Sequence, residues 1–167
     1  MTNIVERAFP YEFQDWSANR GSLRIQLLLF LFRSVSKPNR VSSKKVHLRI
    51  LRIIYATFSE WLLGIELPSG VKVGRNLRIR HGYGLVVHSD TVLGSGCLLR
   101  QGVTLGIRGN GIGDRPPTVG NDVVFGSGSQ ALGSISIGDG ASIGAGAIVL
   151  ESIPAGLVAV GNPARIL

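Results

Sequence analysis

The stretch Ile79–Gly84 reads IRHGYG and sets one imidazole among glycines. Histidine changes protonation between about pH 5 and 8, so it can serve as general base, proton shuttle or metal ligand. His81 stands where neighbouring segments of similar pattern carry small or aliphatic residues, which marks it as either a turn residue or a reacting group. The chain's other histidines are His47, on a basic helical stretch, and His88, at an ordinary position of the pattern. No third histidine joins His81 and His88 in that region, so no metal site is expected. Cys97 is the only cysteine. It excludes an intrachain disulfide and a site built on several thiolates, and it reads as a small buried hydrophobe.

The elements that must position His81 follow from periodicity. From Leu67 onward aliphatic residues recur every six positions. Leu67, Val73, Ile79 and Leu85 form one register, and Val87, Leu93, Leu99 and Leu105 a second, displaced by two residues. After a break at residues 107–117, Val119, Phe125, Ala131, Ile137, Ile143 and Val149 form a third. Glycine commonly follows the aliphatic position, as at Gly74, Gly94, Gly120, Gly126 and Gly144. A period of six is the mark of a hexapeptide β-helix, in which each short strand ends in a sharp turn and the aliphatic side chain stacks inward on the next coil. The expected fold is mainly β, a left-handed parallel β-helix with a short α-helical N-terminal region. Residues 64–167 form the β-helix domain, with an extruded loop at 107–117 and a C-terminal cap at 152–167. Residues 1–63 form the helical region.

Within that region one helix is expected from about Leu23 to Val35, ending before Pro38. A second begins at Ser42 or Ser43 and ends at Gly64 as C′ residue. Val46, Ile50, Ile53, Ile54, Phe58, Trp61 and Leu62 give the second helix an apolar face, and the two helices should form a cap or an oligomer contact.

Composition narrows the function classes. Of 167 residues 23 are glycine, without a collagen period, while 44% are hydrophobic, which argues against disorder. Residues 1–63 carry ten Lys/Arg against four Asp/Glu. That imbalance suits a solvated helix face, nucleic acid, an anionic ligand or an anionic membrane surface. The run LRIQLLLFLF (Leu23–Phe32) is interrupted by Arg24 and Gln26 and is too short to cross a membrane. A cytoplasmic protein is expected, with peripheral contact at the inner membrane face left open and no nucleic-acid partner.

GIELPSGVKVGRNLRIRHGYGLVV, QGVTLG, DRPPTVGNDVVFGSGSQALGSISIGDGASIGAGAIVL and GNPARI together resemble the left-handed β-helix acetyltransferases of the serine O-acetyltransferase type, over about Gly64–Ile166. The N-terminal QDWSANRGSLRIQLLLFLFR is similar to the shorter branch of exopolysaccharide and colanic-acid acetyltransferases. The resemblance implies a homotrimer or dimer of trimers, with acetyl-CoA as co-substrate in the groove between neighbouring β-helices. It implies that His81 is the general base, that Glu66 is the carboxylate paired with it, and that Asp15 binds the acceptor. Gly126, Ser127, Gly144 and Ala145, together with Arg165 of GNPAR, match cofactor contacts. Gly106 or Ile107 would offer a backbone N–H to the thioester oxygen as it becomes negative.

Glu66 stands where the family usually has aspartate, and two further positions depart more sharply. Arg80 stands where the family has an aspartate before the catalytic histidine, and Arg115-Pro116-Pro117 replaces Arg-His-Pro. The family's aspartate meets the serine ammonium and its Arg-His pair holds the serine carboxylate; a guanidinium in place of the aspartate reverses the charge. Arg80, Arg108 or Arg115 could instead hold a phosphate or carboxylate. The expectation is therefore acetyl transfer to a sugar hydroxyl in exopolysaccharide or capsule synthesis, with Arg80 and Arg115 at the acceptor. Serine acetylation in cysteine biosynthesis is the alternative, and a non-catalytic oligomeric scaffold the second.

Overall fold

The structure is a computed structural model that describes residues 11–36, 45–109 and 113–167. Among these residues fifteen strands, most of two or three residues, follow two α-helices, α1 (Leu23–Ser36) and α2 (Lys45–Ala56). The expected N-cap of α2, Ser42 or Ser43, lies outside the described residues. A π-helical turn, Thr57–Leu62, extends α2, and Gly64 follows with φ of +61°.

Successive strands pass to successive faces of a three-sided prism. One face stacks β1 (Ile65–Glu66), β4 (Leu85–Val87), β7 (Thr104–Gly106), β10 (Gln130–Leu132) and β13 (Ile148–Val149). The second stacks β2 (Lys72–Val73), β5 (Val92–Leu93), β8 (Thr118–Val119) and β11 (Ser136–Ile137). The third holds β3 (Arg78–Arg80), β6 (Leu98–Arg100), β9 (Val124–Phe125), β12 (Ser142–Ile143), β14 (Val158–Gly161) and β15 (Ala164–Ile166). Every pairing is parallel except β14 with β15, where the chain folds back over the last coil. All the six-period aliphatics are buried except Val73, which is half-buried. They fill the prism because the central residue of each short strand points inward.

A solenoid end exposes the unpaired edges of three sheets at once, and the helical region covers this one with specific polar groups. At β3, Asp15 Oδ1 accepts from Leu77 N at 2.9 Å, Asn19 Oδ1 accepts from Ile79 N at 3.0 Å, and Asn19 Nδ2 donates to Leu77 O at 2.7 Å. At β2, Arg33 donates to Val73 O and Gly74 O at 2.7 and 2.6 Å. At β1 and beyond, the Ser59 hydroxyl donates to Ile65 O and the Tyr55 hydroxyl to Leu67 O. Ile25, Leu28, Leu29, Phe32 and Val35 bury the apolar face of α1 in the same cap.

These contacts also turn α2. Its apolar stripe points outward, leaving Ile50, Ile53, Ile54, Trp61 and Leu62 exposed. Tyr55 and Ser59 must face the coil carbonyls, and a helix cannot present both sides to one surface.

Candidate functional site

The two-residue displacement seen in the sequence has a location. Regular coils pair residues eighteen apart, as at Ala131↔Val149, whereas Ile65↔Leu85 are twenty apart. At the corner leading into the β4 face, Gly102 N donates to Tyr83 O, Gly128 N to Gln101 O and Gly146 N to Ser127 O. These bonds align Tyr83–Gly84 with Gln101–Gly102, Ser127–Gly128 and Ala145–Gly146. Since Arg80 pairs with Arg100, the surplus residues are His81 and Gly82. The imidazole is thus carried on an insertion that lifts it out of the coil, and it is exposed.

The insertion is tightly specified. His81 has φ of +66°, a left-handed conformation uncommon for a residue with a side chain. Gly82 follows at +59°, and a Cβ there would lie 2.7 Å from Ile65 Cδ1 and 2.9 Å from Ile79 Cγ2. His81 O accepts from Tyr83 N at 2.7 Å and from Arg24 Nη2 of α1 at 3.2 Å. Arg24 therefore ties the helical cap to the turn that holds the histidine.

Glu66 is exposed on β1, opposite Val86 on the strand into which the His81 turn leads. Among the described residues no hydrogen bond or ion pair joins Glu66 to His81. Asp15 is elsewhere: it is 1% exposed, ion-paired with Arg33 Nε at 2.7 Å, and holds Leu77 N. Both its oxygens are engaged within the cap, by Arg33 and Leu77 N. Ser127 and Ala145 lie on the His81 corner, several rungs along the same edge. A Cβ on Gly126 would come within 2.5 Å of Ala145 N, and one on Gly144 within 2.8 Å of Val160 Cγ1, so both glycines permit close stacking.

Gly106 ends β7 and Ile107 follows it, at the far side of the β4 face from His81. Gly106 O accepts from Gly133 N at 2.9 Å. In the loop, Gly109 N donates to Asp114 Oδ2 at 2.8 Å; Arg115 is exposed, while Pro116 and Pro117 are buried. Arg108 and Ile107 are exposed at its start. Arg165 of β15 lines a hollow of about 310 Å³ with Glu151 and Ser152. His88 Nδ1 accepts from Asp90 N at 3.2 Å and so closes a turn. Burial raises the pKa of the Cys97 thiol above its ordinary value, which leaves it mostly protonated at neutral pH. In a single chain, then, the histidine corner and the loop corner are separate.

No family model matches the chain. It is 39% identical over 120 residues to a serine acetyltransferase of Synechococcus elongatus, covering 72% of this chain and 49% of that protein. A serine acetyltransferase of Helicobacter pylori is 45% identical over 107 residues, 64% of this chain and 63% of the relative. The chain thus spans half to less than two thirds of the length of these relatives. The soybean serine acetyltransferase apoenzyme superposes with a TM-score of 0.78 at 30% identity, covering 94% of this chain and 67% of the soybean chain. The chain belongs to the serine acetyltransferase type of left-handed β-helix acetyltransferases.

Membership corrects one expectation. A sugar acceptor in exopolysaccharide synthesis was anticipated from Arg80 and Pro116, yet relatives at 39–45% identity carry the serine acetyltransferase name. A changed charge beside the histidine is not by itself evidence of a changed acceptor. Sequence reading also passed over Arg100, Arg24 and Tyr83. The signal for Arg100 was present, because Ile79-Arg80 and Leu99-Arg100 occupy equivalent positions of successive hexads.

Proposed function

We propose that the protein is an acetyl-CoA-dependent O-acetyltransferase with serine as acceptor. The observation that carries this reading is the His81–Gly82 insertion, which presents an imidazole from a family scaffold at a corner continued by Gly102, Gly128 and Gly146. Relatives bearing the serine acetyltransferase name support the acceptor, and a structural neighbour described as a complex with CoA (TM-score 0.65, 30% identity) supports the donor.

In the proposed reaction His81 removes the proton from the serine hydroxyl as the oxygen attacks the thioester carbonyl. The tetrahedral intermediate collapses by breaking the carbon–sulfur bond, and the imidazolium returns the proton to the departing CoA thiolate. O-acetylserine and free CoA result. Glu66 is the carboxylate that orients the ring and stabilises its protonated form once substrates are bound, since catalytic hydrogen bonds are often long in the unliganded state. Gly106 and Ile107 would serve the oxyanion from the loop corner of an adjacent copy. The separation of the two corners in one chain supports a homotrimer. So do the exposed apolar residues of α2, because large apolar patches mark association surfaces.

The test is CoA release from acetyl-CoA, followed with a thiol reagent, with and without serine. Serine-dependent release is expected, and His81→Ala should reduce it by about 10²–10⁴-fold, the usual contribution of a general base. The circular dichroism spectrum should be unchanged. Absence of serine-dependent release, or full activity in His81→Ala, would overturn the reading.

A further inference from the structure

Arg80 and Arg100 are direct partners in the β3–β6 ladder, so their side chains leave the same outer edge of the prism on adjacent rungs, about 4.8 Å apart along the stack. Ile79 and Leu99 are buried, while the arginines on their C-terminal side are half-buried. Like charges placed directly opposite on neighbouring strands are destabilising. Among the described residues neither guanidinium makes a hydrogen bond or ion pair. Other arginines of the region are employed: Arg33 binds Asp15, Arg78 donates to Gly96 O at 2.6 Å, and Arg24 donates to His81 O. On the rungs beyond, Gly126 and Gly144 follow Phe125 and Ile143, so no side chain stands above Arg100. The column is open on that side, and Arg24 adds a third positive charge to the corner.

Two stacked, unpaired guanidiniums beside an exposed histidine form a place for an anion, and the planar fork of arginine matches a carboxylate. We propose that Arg80 and Arg100 clamp the carboxylate of the acceptor, an inference that rests on the serine reading and specifies how serine lies. The carboxylate sits on the two arginines, the hydroxyl points to His81, and the ammonium is directed away from the guanidiniums towards solvent. Arg80 then does not reject the amino acid; it sets which end of it enters. Acceptors lacking the carboxylate are excluded, and substitution on the amino nitrogen is tolerated.

The experiment measures equilibrium binding of L-serine, N-acetyl-L-serine and L-serinamide to the wild-type protein and to Arg80→Gln/Arg100→Gln by calorimetry, alongside turnover. Both side chains point outward, so the double variant should fold. Serine and N-acetylserine should bind the wild type at least tenfold more tightly than serinamide, and in the double variant the three should agree within about twofold. Equal binding of serinamide, discrimination that survives in the double variant, or no binding of any of the three would overturn the clamp. CoA is the control for a phosphate: a tenfold loss of CoA affinity in the double variant, with serine binding unchanged, would give the anion to CoA and also overturn it. Serine turnover without carboxylate discrimination leaves the proposed function standing and removes the clamp. Discrimination without turnover retains the clamp and removes serine as the acetylated acceptor.

Discussion

Asp15→Ala should lower stability by several kcal/mol while leaving the chemistry of His81 intact. The carboxylate accepts from Arg33 Nε at 2.7 Å, from Arg33 Nη2 at 3.1 Å and from Leu77 N at 2.9 Å, and both ionic partners are 1% exposed. Removing one member of a buried pair leaves an uncompensated charge and costs about 3–5 kcal/mol. Leu77 N loses its acceptor as well, adding about 1–3 kcal/mol. Arg33 retains Val73 O and Gly74 O, which softens the loss, so about 4 kcal/mol is the working figure. Asp15→Asn keeps an acceptor for Leu77 N and should cost less. The assay is urea unfolding followed by circular dichroism, with KM for serine determined under conditions where each variant is folded. A loss below about 1 kcal/mol, typical of a solvated surface pair, would refute the buried-clamp argument. An unchanged unfolding midpoint accompanied by a large rise in KM would do so more directly, by returning Asp15 to the acceptor.

Gly126→Ala should destabilise by about 1–3 kcal/mol, because its Cβ would press on the backbone of Ala145. Gly128→Ala meets open space and should cost only the roughly 1–2 kcal/mol of a left-handed residue at φ of +68°; equal midpoints for wild type and Gly126→Ala would show that the coils are looser than described. Tyr55→Phe leaves Leu67 O without its hydroxyl donor and should cost about 1–3 kcal/mol by chemical denaturation. Asp139 accepts from Asn121 N at 2.7 Å and from Asn121 Nδ2 at 3.2 Å, and these bonds depress its pKa. A depressed folded-state pKa contributes stability above the unfolded-state value, near 3.8, that is lost as pH falls through the folded-state value. The melting-temperature gap between wild type and Asp139→Asn should therefore close on acidification from pH 5, and a gap that widened would contradict it.

The solenoid was legible because its period is written residue by residue. An inward aliphatic every six positions is a local rule repeated at each turn, so even the two-residue displacement marked the coil that carries His81. The helical cap was legible only as helices. Which side of α2 faces the prism depends on Tyr55 and Ser59 finding the carbonyls of Leu67 and Ile65, a pairing between two elements that periodicity within one element does not encode. Asp15 shows the same limit. DWSAN fits a helix start or an acceptor contact equally well, and its buried partner, Arg33, lies eighteen residues away and becomes visible only once α1 is packed on the coil. Arg80 reads singly in the sequence, whereas Arg100 is brought beside it only by a full coil of chain.

The polar seal over the first coil has a consequence for the life of the chain outside its native state. Asp15, Asn19, Arg33, Tyr55 and Ser59 occupy donors and acceptors that would otherwise recruit another strand on each of three faces. If the segment before α2 were stripped away by a protease, the β2 and β3 edges would become templates for a second copy to pair tip to tip. Trimming that segment should thus announce itself as association into pairs before any loss of β-structure, so the helices guard the open end of the fold against its own copies.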